Sequence, residues 1–203
     1  MSAIPVVPEQ QLSGPHEQPW HLPSRGRVGM LSLIIGESAL FTIFVVAYVF
    51  YIGKSLSGPT PQQVLEIPIF NTFCLFSSSI TIWLAERQIE RGRIRAFGLW
   101  WALTIVLGVV FMVGTAIEWH KLIYIDGLTI STNLFGTTFY SLVGLHATHV
   151  VLGLIALSIV LIFTMLGLVK EEHSERIQVL ALYWHFVDAV WVVVFSVVYI
   201  AGR

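Results

Sequence analysis

The sequence predicts an all-α integral membrane protein, a bundle of five transmembrane helices with a cytoplasmic amino terminus and an outward carboxyl terminus. Three observations carry this. Of 203 residues, 56% are apolar and only 11% charged, a balance foreign to water-soluble domains. Five apolar segments, 28–53, 67–85, 96–118, 134–168 and 178–201, reach about the 20 residues a helix needs to cross a bilayer. The basic residues alternate between connections: Arg25, Arg27, Arg87, Arg91, Arg93, Arg95, Lys170 and Arg176 fall on one side, leaving Lys54, Lys121 and Arg203 for the other. The richer side is cytoplasmic by the positive-inside tendency.

Helices are required because hydrocarbon offers no water to an unpaired backbone amide, so each span must satisfy its own hydrogen bonds. A net charge of −1 supplies no basic surface for nucleic acid, and the single Cys74 permits neither an internal disulfide nor a CxxC metal site. Residues 1–27, rich in Pro, Gln and Ser and without a signal-peptide core, read as a mobile tail ahead of a five-helix domain over 28–203.

The first span carries Glu37, with Phe41, Phe44 and Tyr48 following on the same helical face. An ionisable group at membrane depth costs about 2.5–3.5 kcal/mol on insertion scales and persists with a partner or a use. Proton handling is one reading of Glu37; a protonated carboxyl bonded to a neighbouring helix is the other. In the second and fourth spans, Ser77 with Thr81 and Gly144 with Thr148 are spaced by four, as close helix contacts are. The third span ends at Glu118 and Trp119, read as a carboxylate reaching water beside an interfacial tryptophan.

The fourth span is overlong and carries His146 and His149 on one face. The fifth holds His185 and Asp188 three apart, among Trp184, Trp191 and Tyr199. A shared metal or haem would need further ligands. The three histidines and Asp188 are therefore read as buried polar structural groups, with Asp188 the partner of His185. The Arg-rich turn, Arg91, Arg93 and Arg95, is suited to lipid head groups, solvated charge being the simpler account.

Several runs together resemble a known family. Ala181-Leu-Tyr-Trp-His-Phe-Val-Asp-Ala-Val-Trp191, with Phe195 and Tyr199, resembles the last helix of subunit III of the haem–copper terminal oxidases, in its bacterial five-helix form. Phe135 through Val150, containing His146 and His149, is similar to the penultimate helix. Gly36-Glu37-Ser38 resembles the family's carbodiimide-reactive glutamate region, Asn71-Thr72 with the Ser77–Trp83 run its next helix, and Glu118-Trp119 its outer Glu-aromatic pair. Lys121 stands where many members have another carboxylate, and Glu86-Arg87 where some have histidine.

The resemblance implies a non-catalytic subunit of a respiratory oxygen reductase in a bacterial inner membrane, oxidising cytochrome c or quinol and pumping protons. It implies no cofactor on this chain, haem and copper in partner subunits I and II, and structural phospholipids in a cleft bordered by Glu37. Glu37 and Glu118 become the functional candidates. Two further readings are carried: an accessory subunit of a nitric oxide reductase, and a proton-coupled transporter with a relay through Glu37, Asp188 and the histidines. A b-type cytochrome would need axial histidines facing one another from two helices.

Overall fold

In the computed structural model, residues 24–55 and 58–202 are described, and their long elements are all helical. They are α1 (Arg25–Tyr51), a short α2 (Pro61–Val64), α3 (Ile69–Ile89), α4 (Ile94–Tyr124), α5 (Leu134–Met165) and α6 (Ser174–Phe195). A 3-10 turn, Glu171–His173, leads into α6, and a π-helical turn, Ser196–Ala201, continues it. Five helices, α1, α3, α4, α5 and the Glu171–Ala201 unit, are long and apolar enough to cross a membrane. The tail expected over 1–27 falls outside the described residues up to position 23. Its last three residues already belong to α1, where Ser24 Oγ accepts from Arg27 N at 3.3 Å and caps the helix.

Boundaries follow local chemistry. Asn133 Oδ1 accepts from Gly136 N at 2.8 Å and starts α5. Gly92, at φ +67°, turns the chain between α3 and α4 in the left-handed region that other residues avoid. Helix α4 runs six residues past the predicted end at 118, and α5, at 32 residues, is about 48 Å long at 1.5 Å per residue.

Helices α3 and α4 form a hairpin, α5 packs on α1 and α4, and α6 touches α1, α3 and α5. The bundle is apolar outside: Ile35, Leu99 and Ile117 are largely exposed, as lipid-facing residues are. Inside lie aromatic rings and hydroxyls. Trp101, Trp184, Trp191, Phe97, Phe111 and Phe139 are fully buried, with Ser78, Thr81 and Thr104 among them.

The two ends differ in charge. Gln178 Nε2 donates to Glu90 Oε1 at 2.6 Å at the end carrying the α3–α4 turn, where Arg91, Arg93 and Arg95 are all exposed. Arg27, Glu86, Arg87, Glu90, Gln178 and His185 line an open cleft of about 310 Å³ at that end. At the opposite end Lys121 pairs with Glu66, Asn133 Nδ2 donates to Pro59 O at 3.2 Å, and Phe135 N donates to Ser55 Oγ at 3.0 Å. Arg203 lies outside the described residues.

Candidate functional site

Glu37 and His149 meet. From α1, Glu37 Oε2 lies 3.1 Å from His149 Nε2 on α5, and His149 Nδ1 lies 2.8 Å from Leu145 O one turn back. A carbonyl only accepts, so Nδ1 carries a hydrogen. The contact at Nε2 then needs one more proton, held as a carboxylic acid donating to the ring or as an imidazolium donating to a carboxylate. In either form the pair is neutral and shares one proton between two helices. Phe41, almost fully buried, stands 5.0 Å from the His149 ring, and Tyr183 Oη donates to His149 O at 3.3 Å. Of the aromatic residues expected on the Glu37 face, Phe41 stands beside the pair, whereas Tyr48 lines a separate cavity with Ser55, Thr60 and Gly202; the His149 partner is one that periodicity along one helix could not supply.

The two histidines of α5 part company. His146 is buried with its ring stacked on Trp191 at 4.9 Å and edge-on to Phe111 at 6.0 Å. Neither of its nitrogens has a hydrogen bond among the described residues. His149 faces Glu37 instead, so the pair converges on no common ligand. Haem ligation fits these residues poorly: one ring is enclosed by aromatic faces and the other is engaged at both nitrogens. Among the described residues no three His, Cys, Asp or Glu side chains are grouped to hold a metal.

His185 and Asp188 share a face of α6 as expected, yet no direct bond joins them. Ser79 of α3 stands between, donating to Asp188 Oδ2 and lying 3.2 Å from His185 Nδ1. On its other side His185 Nε2 is 3.8 Å from Glu86 Oε2. The sequence reading missed Ser79, although the hydroxyl-rich run Ser77-Ser78-Ser79 in an apolar span was the available signal. The same run holds Ser78, whose hydroxyl accepts from Trp184 Nε1 at 2.9 Å; nearby, Thr72 accepts from Trp191 Nε1 at 3.2 Å and Thr81 pairs with Thr104 at 2.7 Å.

Glu118 sits six residues before the end of α4, half-buried and lining an open cleft with Glu66 and Lys121, and Tyr199 Oη donates to its Oε1 at 2.9 Å, a partner the sequence did not offer. Continuing α6 as a π-turn keeps Tyr199 buried. Trp119, expected at the interface, packs edge-on against Tyr140 at 5.3 Å with its ring nitrogen buried.

Comparison with known proteins follows the same lines. The family of cytochrome c oxidase subunit III matches residues 4–203. Cytochrome c oxidase subunit 3 of Alkalihalophilus pseudofirmus is 33% identical over 177 residues, 86% of this chain and 86% of that protein. Quinol oxidase subunit 3 of Bacillus subtilis is 30% identical over 182 residues, 87% of this chain and 89% of that one. With five spans and bacterial relatives at this likeness, the protein is a multi-pass bacterial membrane protein that belongs to the subunit III family of the respiratory haem–copper oxidases.

Proposed function

We propose that this chain is the non-redox subunit III of a respiratory oxygen reductase. It packs on subunits I and II, which carry haem and copper, holds phospholipid, and supports proton uptake and endurance in turnover. The Arg-rich end faces the cytoplasm, with Arg91, Arg93 and Arg95 at the level of anionic head groups. The observation that carries this reading is the Glu37–His149 contact of 3.1 Å. It is a neutral, one-proton pair on the helix that buries the least of its surface in the bundle. Such a group can hold or pass a proton beside a neighbouring subunit without placing net charge in the membrane.

The test is mild-detergent isolation of the tagged chain, with an optical spectrum and mass-spectrometric identification of the accompanying subunits. Co-isolation of haem–copper subunits I and II with oxygen consumption is expected. A colourless chain isolated alone would overturn the assignment, and nitric oxide reduction without oxygen consumption would move it to the accessory subunit of a nitric oxide reductase.

A further inference from the structure

We propose that Glu86, His185, Ser79 and Asp188 form a one-ended proton path, which keeps the buried Asp188 carboxyl in exchange with water at the Arg-rich end and closed to the opposite end. The mouth is the open cleft of about 310 Å³ lined by Glu86 and His185. The charged groups facing it are Arg27 from α1, Glu86, Arg87 and Glu90 from α3, and His185 from α6. Glu90 is held by Gln178, and the Arg87 guanidinium lies over the Trp83 ring at 3.5 Å.

From the mouth inward, Glu86 Oε2 is 3.8 Å from His185 Nε2, a gap that one bridging water or a small rotamer change closes. His185 Nδ1 is 3.2 Å from Ser79 Oγ, and Ser79 Oγ bonds Asp188 Oδ2. Asp188 itself is 3% exposed. Beyond it the way is shut. One turn further along α6 Trp191 is buried among the rings of Phe111, His146 and Tyr199, and its nitrogen is bound to Thr72.

The order of bonds permits a balanced transfer. With a hydrogen on Nδ1, His185 donates to Ser79 Oγ, and Ser79 donates to the Asp188 carboxylate. A proton arriving at Nε2 by way of Glu86 makes the ring an imidazolium. The Nδ1 proton then passes to Ser79 as the Ser79 proton passes to Asp188. Asp188 ends as a carboxylic acid and His185 as the neutral ring with its hydrogen on Nε2. The reverse sequence returns the proton to the cleft, and no electron moves. Serine is suited to the middle position because a hydroxyl accepts one proton while releasing another.

Hydrogen–deuterium exchange of the Asp188 carboxyl in the purified complex, followed by infrared spectroscopy, tests this. The protonated-carboxyl band is assigned by its loss in Asp188→Asn, or by its displacement in Asp188→Glu should the first variant fail to assemble. Ser79→Ala is expected to slow exchange by about tenfold or more, the factor one ordinary hydrogen bond in the transfer state is worth, and Ser79→Thr to restore it. Exchange in Ser79→Ala as fast as in wild type, or faster through admitted water, overturns the path. So does the absence, at every pH the complex tolerates, of a band that depends on Asp188. The subunits present are read by mass spectrometry on the same sample, so failure of the path is distinct from failure of the oxidase assignment.

Discussion

Replacing Gly153 by alanine should loosen the whole bundle, because the Trp184 indole fills the space a methyl group would need. A Cβ at Gly153 of α5 would lie 2.9 Å from Cε3 and Cζ3 of that ring, and one at Gly108 of α4 would lie 2.9 Å from Cη2. Carbon atoms rest at about 3.5–4.0 Å, so the ring would have to retreat by roughly 0.6–1.1 Å. It has nowhere to go: Gly108 bounds it on the side of α4, and Nε1 is tied to Ser78 at 2.9 Å. Overpacking of this kind costs about 1–3 kcal/mol, and an ordinary hydrogen bond given up in the retreat adds about 1 kcal/mol. The better helix propensity of alanine returns up to about 1 kcal/mol, leaving a net loss of about 1–3 kcal/mol. The assay is thermal unfolding of the purified complex, repeated in a Trp184→Phe background, where the six-membered ring that meets the new methyl is gone. In that background Gly153→Ala should cost almost nothing, giving a coupling energy close to the single-variant loss. Equal penalties in both backgrounds, or no penalty in either, would refute the wedge.

Three further outcomes follow from named contacts. Glu37→Gln should keep this subunit in the complex, since its amide can donate to His149 Nε2, yet shorten sustained turnover because the shared acidic proton is gone; wild-type endurance would count against a functional role. Lys121→Ala should leave thermal stability almost unchanged, because its partner Glu66 is 80% exposed and the pair is screened; a clear loss would assign Lys121 a structural task. Gly136→Ala should lower assembly yield sharply and destabilise by about 3 kcal/mol or more, since the new Cβ would collide with the Thr129 carbonyl oxygen, a backbone atom that cannot swing aside; near-normal yield would mean the Leu128–Thr132 loop yields instead.

The sequence made the spans legible because hydropathy and length are properties of a single helix. It also picked out several of the polar residues that make contacts between helices, since a Glu, Asp or His in an apolar run is conspicuous wherever it points. Partnership was less accessible. His146 and His149 share a face by spacing, yet α5 lies between α1 and α4, so one ring turns to Glu37 and the other to Phe111 and Trp191. His185 and Asp188 looked like each other's partners because only their own helix was in view. Ser79 comes between them from a helix 106 residues earlier in the chain. The end of α4 was read short for a different reason: the apolar window closes at Glu118, whereas hydrogen bonding carries the helix on to Tyr124.

Helix α6 is the element that touches α1, α3 and α5, whereas α1, α5, α4 and α3 contact one another in series, as an arc. That has a meaning for biogenesis. Among the spans, α6 comes last in the chain, and without it the other four would present the hydroxyls of Ser78, Ser79 and Thr72 with no indole or carboxylate to meet them. Closure waits for the arrival of Trp184, Asp188 and Trp191, each of which bonds one of those hydroxyls. Until α6 arrives, the Ser78 hydroxyl has only its own helix to bond, through Leu75 O at 2.6 Å.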